Sequence, residues 1–228
     1  MIDIFDIMGP IMVGPSSSHT AGAVRIGRMA RALLGETPVR AALHLYGSFA
    51  ETGVGHGTDK ALIAGLLGMA PDDLSIPLSF SIAEDRGLTF TFSEIDLRDA
   101  HPNSVQMEVV GEEGSRLSMQ ACSVGGGRIR VNKIDGVDVN FTGDYHTLIV
   151  HNRDDRGHVA DVTYALSQAK VNVANMSLHR DAKGGSAIMI IETDEPIPPL
   201  ILDLLRRLPG ILHITYYCLL YTSPSPRD

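Results

Sequence analysis

The sequence predicts an α+β protein of two domains, and three observations carry that expectation. At 228 residues the chain exceeds the usual single-domain size, so two cores of about 70 to 150 residues each are the natural division. Near Ile76 the pattern shifts from helical spacing to strand-like alternation, so residues 1–142 read as one domain of helices followed by strands. After a break at Thr142 to Tyr145, residues 146–217 spell strand and helix in the order βαββαβ. The composition is that of a folded chain, with 44% hydrophobic residues, 20% charged residues and glycine scattered without a period.

In the first domain an apolar start is broken by Gly9, Pro10, Gly14 and Pro15, and Ser16 to Thr20 then lead into helical spacing from Ala21 to about Leu34. Val39 to Phe49 is rich in strand formers. Gly53, Gly55 and Gly57 read as a flexible turn, with Thr58 or Asp59 as a cap for a helix over Asp59 to Gly68. From Ile76 the segments Leu88 to Phe92, Ser104 to Val110, Arg116 to Val124, Arg128 to Lys133 and Val137 to Asn140 read as strands. Gly111 to Gly114 and Gly125 to Gly127 suit antiparallel hairpins between them. Cys122 reads as a small core residue and His101-Pro102-Asn103 as a turn.

The second domain reads as strand His146 to His151, helix Arg156 to Lys170, strands Asn172 to His179 and Ser186 to Glu192, helix Pro198 to Arg207 and strand Ile211 to Tyr217. That order defines a ferredoxin-like unit, two helices on one face of a four-stranded antiparallel sheet. Pro196 to Pro199 suit the entry of its second helix, and Gly210 its stop. Residues 218–228, CLLYTSPSPRD, break the pattern abruptly. They resemble the translation of a sequencing-library adapter, are otherwise an ordinary disordered end, and are set aside from fold reasoning.

Charge and composition exclude several functions. A net charge of -8 leaves no basic stripe to neutralise phosphates, so nucleic acid is not an expected partner. Asp3 and Asp6 stand where a secretory signal carries Lys or Arg, and no apolar run approaches the roughly 20 residues of a membrane span. A cytoplasmic protein without a membrane partner is expected. The two cysteines, Cys122 and Cys218, are too few to ligate zinc or an iron-sulfur cluster, so no metal site is expected in this chain.

Two segments can carry chemistry. In Gly14-Pro15-Ser16-Ser17-Ser18-His19-Thr20, hydroxyls, a histidine and unpaired backbone amides converge where a helix begins. Such a place holds a small anion, although one hydroxyl used as a plain cap explains it structurally. In Gly55-His56-Gly57-Thr58-Asp59-Lys60 a histidine sits between glycines. An imidazole, with a reference pKa of about 6.5, suits proton transfer or hydrogen bonding, and a surface loop histidine is the plainer reading. In the second domain the loop Asn152-Arg153-Asp154-Asp155-Arg156-Gly157 and Asn172 offer donors and acceptors for an amino acid, or serve as caps and turns.

The runs GPSSSHTAGAVRIG at 14–27, GHGTDKALIAGLLG at 55–68 and SVGGGRIRVNKIDG at 123–136, followed by the βαββαβ unit, together resemble the beta chain of bacterial iron-sulfur-dependent L-serine dehydratases. The first domain is similar to the extra anion-binding domain of some D-3-phosphoglycerate dehydrogenases, and the second resembles their serine-sensing ACT domain. The resemblance implies a heteromeric L-serine ammonia-lyase in which a cysteine-bearing alpha subunit holds a [4Fe-4S] cluster, with no pyridoxal phosphate. An iron then polarises the serine hydroxyl, a base removes the α-proton, and aminoacrylate goes on to pyruvate and ammonia. It implies Ser16, Ser17, Ser18, His19 and Thr20 as substrate or anion ligands. His56 falls nearest the chemistry, as base or as substrate orienter. Asn152, Asp154 and Asn172 fall at ACT effector positions, with Arg156 where the family carries Pro, and an ACT-mediated oligomer is implied. The rival expectation is a non-catalytic serine-binding regulatory module, for which GHGTDKA would have no evident use.

Overall fold

The computed structural model describes residues 17–218. Gly14, Pro15 and Ser16, the side chains of Ser17 and Ser18, and the tail residues 219–228 therefore lie outside what is described. The chain divides into two compact units, parted after Thr142.

Among the described residues, the first unit begins with a π-helical turn, Ser17–Gly22, that runs straight into α1 (Ala23–Leu34). The apolar residues of α1 recur at helical spacing and are buried, including Ile26, Met29 and Leu33. Gly35, with φ 77°, ends the helix by turning its N–H onto the Arg31 carbonyl. β1 (Pro38–Tyr46) follows, then α2 (Ser48–His56), α3 (Thr58–Leu66), a short 3₁₀ turn (Ile76–Leu78) and α4 (Ser79–Asp85). β2 (Thr89–Glu94), β3 (Ser104–Gly111), β4 (Arg116–Gly125), β5 (Arg128–Ile134) and β6 (Val137–Phe141) complete the unit.

These strands form one six-stranded sheet in the order β2-β1-β3-β4-β5-β6. β3 to β6 are antiparallel neighbours joined by hairpins, whereas β2 lies parallel to β1. Alternation sorts the side chains: Ala41, Leu43 and Leu45 of β1, Met107 and Val109 of β3, and Met119 and Ala121 of β4 are buried. Their alternate neighbours Arg40, Glu108 and Arg116 are exposed on the other face.

Two expectations fail here. The Gly53 and Gly55 stretch is not a flexible turn but the interior of α2. Gly53 is buried, a Cβ there would already meet Thr58 at 3.5 Å, and packing overrides its poor helix propensity. The segment after Ile76, read as strand-like, forms the 3₁₀ turn and α4, held by Phe80 against Phe90 and Phe92 at ring distances of 4.9 and 6.1 Å.

The second unit has β7 (His146–Arg153), α5 (His158–Gln168), β8 (Val173–Arg180), β9 (Ser186–Thr193), α6 (Pro199–Arg206) and β10 (Ile211–Tyr217), with sheet order β10-β7-β9-β8. Leu148 and Val150 of β7, Met189 and Ile191 of β9, and Val162, Leu166, Leu202 and Leu205 of the helices make its core. This is the ferredoxin-like βαββαβ unit the sequence predicts, with Pro199 at the start of α6 and Gly210, φ 82°, beyond its end. No helix among the described residues is long and apolar enough to cross a membrane.

Candidate active site

Two histidines distant in sequence meet in the first unit. His19, on the π-helical turn, is buried at 8% exposure. Its Nε2 lies 3.1 Å from the Ser48 hydroxyl at the start of α2. His56, the last residue of α2, is exposed, and its ring stands edge-on to that of His19 with centroids 5.0 Å apart. Phe49 closes the other side of His19 at 5.5 Å. Burial, seconded by the charge of His56, holds the His19 imidazole below the usual histidine range against an opposing bond from Ser48. A neutral imidazole thus lies beneath an exposed one.

The backbone fixes this pair. β1 turns into α2 at Gly47, where φ is 57° and a side chain would strike the Pro102 carbonyl at 2.7 Å. The Phe49 N–H donates to the same carbonyl at 3.4 Å, tying α2 to the loop that precedes β3. Gly57, φ 74°, breaks the helical path so that α2 and α3 meet at a corner directly after His56. Gly57 is also the cap position of α3, and neither Thr58 nor Asp59 caps it through a side chain. The Asp59 carboxylate instead accepts from the Lys60 N–H at 2.8 Å.

Thr20 and Thr58 are buried and, among the described residues, their hydroxyls have no hydrogen-bond partner; the same holds for Ser123 on β4. Buried hydroxyls are usually satisfied, and leaving one unpaired costs about 1–3 kcal/mol. Ser17 to Thr20 stand within the first helical turn, not ahead of it, so the cap geometry read from sequence is replaced by a π-helical opening, a feature frequent at functional sites. Ser48 is the site residue that sequence reasoning missed, because β1 was extended to Phe49; the Gly47-Ser48 pair, a turn residue followed by a helix-starting serine, was the available signal.

Burial raises the Asp59 carboxyl above the ordinary carboxylate range, with the Lys60 N–H and charge opposing. A raised folded-state pKa makes the native protein hold this proton more tightly, so stability is lost as pH rises through that pKa. Asp59→Asn should therefore melt higher than the parent near pH 7.5. The advantage should disappear below about pH 3.9, where aspartate is protonated folded or unfolded. Thermal melts across that range check it; a lower Tm at pH 7.5 would mean that the bond to Lys60 outweighs desolvation.

In the second unit the three expected effector residues do not gather in one copy. Asn152 is buried, gives its Nδ2–H to the Arg153 carbonyl at 2.6 Å and leaves Oδ1 without a partner. Asp154 binds the Gly184 N–H at 2.8 Å and Arg180 at 3.1 Å, bonds that hold its carboxyl below the usual range. Asn172 donates to Asp194 at 2.6 Å. Since Asn152 pairs with Ala187 and Val173 with Thr193 on the shared strand β9, Asn152 and Asn172 stand at opposite ends of the sheet, roughly 20 Å apart at about 3.3 Å per residue. Among the described residues no three His, Cys, Asp or Glu side chains gather as a metal ion would require.

A mixed α+β unit with a histidine pair in its helices is followed in the same chain by a βαββαβ unit of the ACT type. The family profile described as serine dehydratase beta chain matches residues 1–85 and that of the ACT domain residues 146–210. The chain is 42% identical over 212 residues to "Probable L-serine dehydratase, beta chain" of Bacillus subtilis (strain 168), covering 93% of this chain and 96% of that protein. It is 37% identical to "L-serine dehydratase, beta chain" of Peptoniphilus asaccharolyticus, over 85% of this chain and 87% of that one. A D-3-phosphoglycerate dehydrogenase of Archaeoglobus fulgidus is 28% identical over 69% of this chain and 30% of its own length. The chain belongs to the L-serine dehydratase beta-chain family.

Proposed function

We propose that this chain is the beta subunit of a heteromeric, [4Fe-4S]-dependent L-serine ammonia-lyase of the cytoplasm, supplying His56 to an active site shared with a cysteine-bearing alpha subunit. The observation that carries the reading is the exposed His56 ring backed by the buried His19, whose Nε2 meets the Ser48 hydroxyl. An enzyme that eliminates water from serine needs a base at the α-carbon, and an exposed imidazole held from behind suits that task. The alternative of a passive serine sensor gives no reason for such an arrangement.

Two cysteines, one of them buried with its thiol pushed up by desolvation, do not fit the ligand set of a cluster, so the cluster is assigned to the alpha subunit. Bound there, it supplies Lewis-acid activation of the serine hydroxyl. This chain's part is to orient the substrate carboxylate through the Ser16 to Thr20 segment at a helix N-terminus, and to exchange the α-proton at His56. Loss of water gives aminoacrylate, which tautomerises and hydrolyses to pyruvate and ammonia.

The ACT unit is proposed as regulatory, with Asn152, Asp154 and Asn172 binding the effector. Since one copy holds Asn152 and Asn172 at opposite ends of its sheet, an effector touching both takes them from two copies, and binding is coupled to oligomerisation. Asn172→Ala should weaken serine binding to the isolated chain by roughly tenfold, the worth of a hydrogen bond to a charged group, about 1.5 kcal/mol. Wild-type affinity by calorimetry would remove Asn172 from the site. The reading as a whole is tested by anaerobic co-expression of this chain with a matching alpha chain. Pyruvate formation from L-serine only in the pair supports it, and a stably assembled, cluster-loaded but inactive complex overturns it.

A further inference from the structure

We propose that β2, the outer strand of the first unit, is an interface between two copies of this chain, paired antiparallel with its own counterpart about a two-fold axis at Thr91. Among the described residues β2 is bonded on one side only, by β1. A strand edge left open in a monomer is normally guarded by lysine, proline, an inward-pointing charge or a bulge. Thr89 to Ser93 have none of these: the run is Thr-Phe-Thr-Phe-Ser, in unbroken register with β1. The opposite edge, β6, is guarded. Its pairing with β5 slips in register between Val131 and Lys133, and exposed Asp138 and Asn140 alternate along it. On β2, Phe90 and Phe92 share the face that carries Ala41 and Leu43 of β1. With Phe80 of α4 they form an aromatic cluster left half-buried at the rim of the sheet.

The run from Glu84 to Arg98 is complementary to its own reverse, and this selects a second copy over an unrelated strand. With Thr91 on the axis, Phe90 falls opposite Phe92 and Thr89 opposite Ser93, the aromatic and hydroxyl pairs that stabilise an antiparallel ladder. Just past the strand ends the same register brings Arg86 towards Asp96 and Glu84 towards Arg98 of the other copy, each pair occurring twice by symmetry. All four of these side chains are exposed. One Nη of Arg86 donates to the Leu67 carbonyl at 3.4 Å, which holds its guanidinium at the entry to the strand. Basic groups therefore meet acidic ones, and the remaining charges, Asp85 and Glu94, fall opposite Leu97 and Leu88 and not opposite one another. The two six-stranded sheets then continue into one, and the phenylalanines of both rims close into a single apolar layer. None of these residues belongs to the histidine pair or to the ACT unit, so the interface stands independently of the proposed activity.

Disulfide trapping in the whole chain, carrying Cys218→Ser to remove the exposed native thiol, tests the pairing. Residues directly opposed in an antiparallel pair have Cα atoms about 4.5–5.5 Å apart, within reach of a disulfide. Thr91→Cys should therefore cross-link to its counterpart under mild oxidation. Thr89→Cys and Ser93→Cys should each fail alone and cross-link when combined in one chain. Adding Arg86→Glu to Thr91→Cys should slow cross-linking roughly fivefold at concentrations below half-dimerisation, since two exposed ion pairs become repulsive. Adding Asp96→Arg as well should restore the rate. A wild-type melting curve shows that each variant folds. The proposal is overturned by a folded Thr91→Cys chain that does not cross-link, by equally fast cross-linking through Thr89→Cys alone, or by failure of Asp96→Arg to rescue. Loss of the Thr91→Cys cross-link on assembly with a matching alpha chain also overturns it, and gives the edge to that partner.

Discussion

His56→Ala, assembled with the alpha chain and cluster, should lower kcat for L-serine by at least about a hundredfold while leaving the protein folded, the range in which a general acid or base contributes. The fold should survive because His56 is exposed at the end of α2, so its removal opens no core cavity. The two roles open to it separate kinetically. A fall in kcat at unchanged KM assigns proton transfer, and a rise in KM at constant kcat assigns substrate orientation. Turnover equal to wild type would take His56 out of the chemistry altogether. Effector binding by the ACT unit supplies the control: it should be untouched, because none of its proposed ligands lies in the first unit.

His19→Gln gives a milder counterpart. Its ring touches Ser48, Phe49 and His56, and glutamine keeps a polar group that can reach Ser48 while losing the edge contact with His56. A role as support therefore shows as a partial loss of turnover, smaller than that of His56→Ala.

The strands were legible because one face of each is buried, and burial on one face leaves alternation in the sequence. The ACT unit was legible to within a few residues at most ends, since its core positions fall at regular spacing and Gly157 and Gly210 punctuate its helices. α2 was not. Its residues include Gly53 and Gly55, poor helix formers, and what makes it a helix is packing against residues distant in sequence. The parallel pairing of β2 with β1 was likewise out of reach, because a short run of apolar and hydroxyl residues does not say which strand it will join.

At the site, the sequence named both histidines but not their contact, which depends on where the α2 to α3 corner places His56 against the first helical turn. It grouped Asn152, Asp154 and Asn172 by family position, whereas strand register separates them within one copy.

Gly65→Ala should destabilise the first unit by about 3 kcal/mol, or roughly 10 °C in Tm, the upper part of the range for overpacking. α1 and α3 cross so closely that a Cβ on Gly65 would lie 2.2 Å from the Val24 carbonyl oxygen and 2.8 Å from the Arg28 nitrogen. Reciprocally, one on Gly27 would meet the Leu62 carbonyl oxygen at 2.3 Å. These are backbone atoms, so no side chain can swing away and the helices themselves must part. Gly126→Ala is the comparison: open space surrounds that position and only its φ of 60° opposes a side chain, for which about 1 kcal/mol is expected. The crossing also bears on catalysis. α1 continues from the turn that carries His19, and α3 begins two residues after His56, so parting the helices shifts one histidine relative to the other. Gly65→Ala should thus lose turnover beyond what its unfolded fraction explains, measured at a temperature where the variant remains folded. A melting temperature within about 2 °C of wild type would show that α1 and α3 separate without strain, and the crossing would then have no claim to set the histidine pair.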